Sequence, residues 1–259
     1  MQPFIVIPTY NESENLEGIV EEVLGLECGV SLLIVDDNSP DGTGEIADRL
    51  ADKYPEVQVR HRESKQGLGS AYRYGFTEAL AMGADCVFEM DADFSHDPRY
   101  IPQFLTAVLD HEVIIGSRYI KGGGVENWGL ARELISRGGN IYTRLCTGLK
   151  IRDATSGYRC YSSEVLRALD FSRITATGYA FQVEIAYVCT RLGFDIYEIP
   201  IVFTDRRVGQ SKMSKSIVAE AVRVVARLKK KYHDLQPVAR ETGGGGTASP
   251  TDNPDTEEK

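Results

Sequence analysis

The chain has 259 residues, ample for one large α/β domain, and its 42% apolar content with 13 tyrosines belongs to a folded protein, which excludes global disorder. A net charge of −9 argues against general nucleic-acid binding, which leans on a cationic surface. Five scattered cysteines (28, 86, 146, 160 and 189) with no C-x-x-C pair exclude metal-ligand spacing and fit free thiols in a reducing compartment.

The average charge hides an asymmetry. Between Arg206 and Lys231 there are nine Lys or Arg against one acid, Glu220, whereas the tail beyond His233 is acidic. The N-terminus runs straight into an apolar segment, and no apolar run reaches the length of a membrane span. The expectation is a cytoplasmic protein, soluble or peripheral at the cytoplasmic face of the membrane.

Strand-like apolar runs alternate with helical patterns. Phe4–Ile7 is followed by a helix with core positions Leu16, Ile19, Val20 and Val23, and Asn11 with Glu14 reads as its capping box. Leu32–Val35, Val57–Val59, Cys86–Met90 and Val113–Gly116 continue the strands. Helices fall around Ile46–Leu50, over Ser70–Met82 and over Tyr100–Leu109. This alternation predicts a single, mostly parallel sheet with helices on both faces. After residue 117 the pattern loosens. Helices are expected over Leu130–Leu145, Phe181–Leu192 and Ser216–Tyr232, with extended segments at Thr155–Tyr161 and Ile196–Phe203. The predicted division is a catalytic domain over 1–215, a basic amphipathic helix over 216–233, and a disordered acidic tail over 234–259.

Polar motifs cluster just behind the strands, where ligands bind in parallel sheets. Pro8-Thr9-Tyr10-Asn11-Glu12 offers an aromatic ring for a base and a carboxylate for ring nitrogens or a ribose hydroxyl, though Pro and Asn also suit a plain turn. In Val35-Asp36-Asp37-Asn38-Ser39 the paired carboxylates exceed what a turn needs, and Asp37 is the better candidate for a nucleoside. Gly67-Leu68-Gly69 opens a helix whose N-terminus favours anions, without the spacing of a nucleotide-triphosphate loop. Asp91-Ala92-Asp93 places two carboxylates one residue apart behind a buried run, a pattern that can share a divalent cation with a diphosphate. His96 suits packing or a helix cap better than the role of base.

These four motifs, in this order, resemble the family 2 glycosyltransferases of the GT-A fold. Met90 to Pro98, Gly116-Ser117-Arg118-Tyr119, Thr155-Ser156-Gly157-Tyr158-Arg159 and Arg206 through Lys212 are similar to the dolichol-phosphate and polyprenol-phosphate mannose synthases. The resemblance implies an α/β domain of Rossmann-like GT-A type. It places nucleotide contacts on Pro8, Tyr10, Glu12, Val35 and Asp37, and the diphosphate–metal site on Asp91, Ala92 and Asp93 with Mg²⁺ or Mn²⁺. It assigns Arg118, Arg132 and Ser136 to the acceptor phosphate, while Arg206 and Lys212 sit in a Gly209-containing loop able to close over the donor diphosphate. Some relatives carry a side-chain amide at Ser95, a ligand position that water can fill here.

The implied reaction is inverting transfer of mannose from GDP-mannose to a polyprenyl or dolichyl phosphate, with Asp91, Asp93 and Arg118 at its centre. A phosphate nucleophile is already ionised near pH 7, its second pKa being about 6, and needs no general base. The same chemistry with UDP-glucose, or a sugar nucleotidyltransferase, is the rival, and a non-catalytic sugar-nucleotide sensor is the distant one. The basic helix over 216–233 either packs on the domain or meets lipid. Relatives often have transmembrane helices or a membrane partner subunit.

Overall fold

The computed structural model describes residues 1–204 and 215–239. Strands β1 (Pro3–Thr9), β2 (Ser31–Asp36), β3 (Val57–His61) and β4 (Cys86–Glu89) alternate with helices α1 (Leu16–Leu24), α2 (Thr43–Lys53) and α3 (Leu68–Ala81). Helix α4 (Ile101–Ala107) leads into β5 (Val113–Ser117), the short β6 (Gly124–Glu126) and the long α5 (Leu130–Thr147). Then follow β7 (Arg159–Ser162), α6 (Ser163–Ala168), α7 (Gly178–Arg191), β8 (Ile196–Pro200), β9 (Val202–Thr204) and α8 (Lys215–Lys231).

One seven-stranded sheet runs β3-β2-β1-β4-β7-β5-β8, and β6 pairs with β9 in a separate ribbon. All pairings are parallel except those of β7, which lies antiparallel between β4 and β5. Side chains alternate between the two faces. Phe4 and Val6 of β1 pack with α3, α7 and α8, while Ile5 and Ile7 pack with α1, α2 and α4. Burial on both faces explains why these strands read as unbroken apolar runs.

Two local expectations change. The capping box of Asn11 and Glu14 does not form: Asn11 adopts φ 61°, and Asn15 stands at the N-cap of α1 with no side-chain cap. The preceding turn is committed elsewhere, because Ser39 Oγ, Thr43 Oγ1 and Asp41 Oδ2 accept the backbone N–H groups of Asn11, Glu12 and Ser13. The segment Thr155–Tyr161 is a strand only from Arg159 onward. In the first residues beyond α8, Asp234 pairs with Arg173 at 2.8 Å and the Val238 N–H donates to the Leu192 carbonyl at 3.0 Å; residues 240–259 of the expected tail lie outside the described residues.

Helix α8, expected either to pack on the domain or to meet lipid, packs along one side. Its residues Val225 and Leu228 are buried, and Tyr232, just beyond it, is buried too. The buried Glu184 carboxylate of α7 accepts from Lys231 Nζ (2.6 Å) and the Tyr232 hydroxyl (2.9 Å), pinning the helix end to the body. The exposed apolar stripe lies on α5 instead, where Leu130, Leu134, Ile141 and Leu145 recur at helical spacing with 50–80% exposure. Among the described residues no helix is long and apolar enough to cross a membrane.

Candidate active site

The C-terminal ends of β1, β2 and β4 meet at an open cleft of about 250 Å³. Pro8, Tyr10, Glu12, Asp37, Asp91, Ala92 and Asp93 line it, together with Thr9, Lys65, Leu68 and Ala71. Val35 does not line it; its side chain is fully buried in the core beneath α3.

The first two loops are built around one carboxylate. Asp36 accepts from Thr9 Oγ1 (2.9 Å), Ser39 Oγ (2.6 Å) and the Ser39 N–H (3.0 Å), tying β1 to β2. Asp37 turns to the cleft instead and pairs with Arg62 at 2.8 Å. Burial raises the Asp37 carboxyl above its usual range, and the Arg62 guanidinium opposes that shift. Lys65 lies over the Tyr10 ring, its Nζ 3.7 Å from the centroid, and the Glu12 carboxylate accepts from Asn15 Nδ2 at 2.9 Å.

Gly67 and Gly69 serve separate ends. Gly67, at φ 91°, makes a turn that a side chain would strain, whereas a Cβ on Gly69 would lie 2.7 Å from the Phe181 ring. The second glycine is therefore a packing requirement between α3 and α7.

The turn at Asp91–Ser95 is held on every side. The Tyr72 hydroxyl donates to Asp91 Oδ1 (3.1 Å), the Asp91 N–H donates to His96 Nδ1 (3.0 Å), and the Ser95 N–H donates to Asp93 Oδ1 (3.0 Å). Phe94 sits at φ 62°, a costly conformation for a bulky residue. Its ring lies where a Cβ on Gly18 would meet it at 3.1 Å. His96 is buried and stacks on Tyr158 with centroids 4.9 Å apart. Burial lowers its pKa, and a ring that accepts at Nδ1 carries its proton on Nε2, so it is a neutral support for the turn.

Behind the turn, Glu89 is wholly buried and accepts from Gln182 Nε2 at 2.6 Å; burial pushes its carboxyl up to about 7, opposed by Arg159. Arg159 donates to the Ser156, Ala154 and Gln182 carbonyls, so this guanidinium shapes the loop after Asp153 and is buried away from the cleft.

A second cavity, of about 110 Å³, opens between α5 and α8. Ile135, Tyr142, Val183, Val222 and Val225 give it apolar walls, and Arg118, Trp128, Arg132, Ser136 and Thr155 gather at one end. Arg118 is 5% exposed and grips the fully buried Asp153 through two side-chain contacts of 2.7 Å, with a further bond to Thr155 Oγ1 at 2.8 Å. Burial alone would raise the Asp153 carboxyl, but the Arg118 guanidinium and its hydrogen bonds outweigh that and hold it below the usual range. Ser136 Oγ accepts from the Tyr119 hydroxyl at 2.7 Å. Phe203 stands between the support of the Asp91 turn and the groove: its ring meets His96 edge-on at 5.7 Å and Trp128 at 5.5 Å, with Arg118 over its face.

The structure thus brings together seven of the expected nucleotide-side residues in one cleft, and Arg118, Arg132 and Ser136 in another. Arg206 and Lys212 lie outside the described residues. Sequence reasoning did not single out Tyr72, Trp128 or Asp153. Asp153 lies two residues ahead of Thr155-Ser156-Gly157, and Trp128 is the only tryptophan in the chain, signals that were available.

Two carboxylates suit a hard divalent cation with oxygen ligands. Among the described residues no group of three His, Cys, Asp or Glu could hold a metal.

Residues 4–170 match the family described as glycosyl transferase family 2. A Micrococcus luteus protein named undecaprenyl-phosphate mannosyltransferase is 45% identical over 227 residues, covering 88% of this chain and 93% of that one. A polyprenol monophosphomannose synthase of Mycolicibacterium smegmatis is 46% identical, covering 86% and 84%. The fold is similar to glucosyl-3-phosphoglycerate synthase from Mycobacterium tuberculosis in complex with Mn²⁺ and UDP-glucose, with a TM-score of 0.64, 21% identity, and coverage of 89% and 78%. The chain belongs to glycosyl transferase family 2, and it is a glycosyltransferase homologous to the polyprenyl-phosphate mannose synthases.

Proposed function

We propose that the chain transfers mannose from GDP-mannose to a polyprenyl phosphate, releasing GDP and inverting the anomeric centre. One observation carries the reading: the chain has both a carboxylate-rich cleft at the strand ends and an apolar-walled groove with two arginines, and Phe203 touches His96 behind the first and Trp128 in the second. A nucleoside diphosphate suits the first, and a phosphate on a hydrocarbon chain suits the second.

In this reading Tyr10 stacks on the base, and Glu12 and Asp37 accept hydrogen bonds from the N–H groups of the base or the O–H groups of the ribose, with Pro8 shaping the wall. Asp91 and Asp93 hold Mg²⁺ or Mn²⁺, which when bound neutralises charge on the departing diphosphate. Arg206 and Lys212 are assigned to that diphosphate from the other side. Arg132 and Ser136 seat the acceptor phosphate, and Arg118, already balanced by Asp153, orients more than it attracts. A phosphate oxygen attacks the anomeric carbon in line. The new carbon–oxygen bond forms as the bond to the diphosphate breaks, and the electron pair leaves with GDP. With a second pKa of about 6 the acceptor arrives ionised, so no side chain need remove a proton. The neutral, buried His96 supports that division of labour.

An acceptor of this kind resides in lipid, and the outward stripe of α5 is the surface we assign to the membrane interface. Leu130, Leu134, Ile141 and Leu145 face out, with Arg137 and Lys150 exposed nearby to meet anionic headgroups. Turnover of GDP-mannose against UDP-glucose, with undecaprenyl phosphate and Mg²⁺, tests the donor. The reading expects GDP-mannose to be preferred; a preference for UDP-glucose would overturn it.

A further inference from the structure

The acceptor end of the groove contains a hydrogen-bond donor with nothing to bond. Trp128 Nε1 is closed off from solvent and finds no acceptor among the described residues. Indole nitrogen only donates, and a buried donor without a partner is a standing cost to the fold. The ring is not loosely placed. The Arg132 guanidinium lies 4.1 Å from its centroid, that of Arg118 lies 5.4 Å away, and the Phe203 ring packs edge-on against it. The preceding residue, Asn127, takes φ 60°, so the backbone too is committed to presenting this side chain.

The surroundings select the missing partner. Two guanidiniums rest on the ring, and the buried Asp153 carboxylate is gripped by one of them, Arg118. Ser136 Oγ already accepts from Tyr119, which leaves its own proton to donate into the same cavity. Donors converge here, and an oxyanion is the ligand that satisfies them. We propose that Trp128 binds the acceptor substrate by donating its indole N–H to an oxygen of the acceptor phosphate, beside Arg132 and Ser136. This rests on the acceptor being a polyprenyl phosphate. A sugar hydroxyl of the donor is the competing partner for the same N–H, disfavoured by the cations on either side.

Because Trp128 is the chain's single tryptophan, its emission reports this site alone. Titrating the full chain with farnesyl phosphate should change the emission saturably, and farnesol, with the same chain but no phosphate, should not. Inorganic phosphate at high concentration should compete. In turnover with undecaprenyl phosphate, Trp128→Phe keeps the aromatic platform and loses the N–H. The expected result is an acceptor KM raised about tenfold, equivalent to about 1.4 kcal/mol, with donor KM and melting temperature unchanged. An acceptor KM within twofold of wild type, a rise in donor KM instead, or emission that follows farnesol as well as farnesyl phosphate would overturn the proposal. Should wild type make no product from any polyprenyl phosphate, the broader functional reading fails; wild-type turnover with an unmoved Trp128→Phe acceptor KM fails this inference alone.

Discussion

The two cavities are built on opposite plans. The cleft at the ends of β1, β2 and β4 sets its carboxylates on backbone turns, each fixed by neighbours within the same or the adjacent motif. The groove between α5 and α8 hangs on contacts between segments far apart in sequence, and its central ion pair, Arg118 with Asp153, is buried and self-neutralised. The first plan lines an open cleft with carboxylates; the second uses a buried ion pair to hold a shape. Removing a charge should therefore cost chemistry in the cleft and cost folding in the groove.

The largest expected effect tests that contrast. Asp153→Ala strands Arg118 without its counter-charge and should lower stability by about 3–5 kcal/mol in urea denaturation, the range for a broken buried pair. Asp93→Ala should leave the denaturation midpoint near wild type while reducing kcat by about 10²–10³-fold, the scale for losing a group that stabilises developing charge. If both substitutions unfold the protein equally, the contrast is wrong. Next in size is Tyr72→Phe, which keeps the ring stack with Phe181 but removes the hydrogen bond to Asp91 Oδ1. Loss of an orienting hydrogen bond behind a ligand should weaken Mn²⁺ binding, measured by electron paramagnetic resonance titration, by about 10–100-fold. The smallest effect belongs to the α5 surface. Leu134→Ser with Leu145→Ser should reduce binding to vesicles containing anionic lipid by about fivefold, with activity toward a short soluble acceptor unchanged. Vesicle binding that is unaffected would move the membrane face elsewhere.

The same division governs what the sequence reveals. β1, β2 and β4 are legible because burial on both faces writes an unbroken apolar run, and the acids that end the runs mark the cleft. β7 was only partly legible: it is four residues long and begins with the buried Arg159, whose charge is satisfied by three carbonyls. The capping box misled because Asn11 and Glu14 match it locally, while partners 28 to 31 residues away claim the N–H of Asn11 and those of the next two residues. In α8 the apolar spacing is visible, yet which face meets protein is decided by Glu184 and the wall of α7. The exposed stripe on α5 has the same spacing and the opposite fate. Periodicity reports a stripe; the partner that covers it is a tertiary fact.

Which sugar is joined to which acceptor, and in which configuration, is read from the product. Purified protein given GDP-mannose, undecaprenyl phosphate and Mg²⁺ should yield one lipid-linked product, extracted and examined by mass spectrometry and by the anomeric carbon–hydrogen coupling in nuclear magnetic resonance. The predicted result is a single mannose on the lipid phosphate in the β configuration, formed in step with GDP. An α-linked product, or GDP released with no mannosylated lipid, would contradict it.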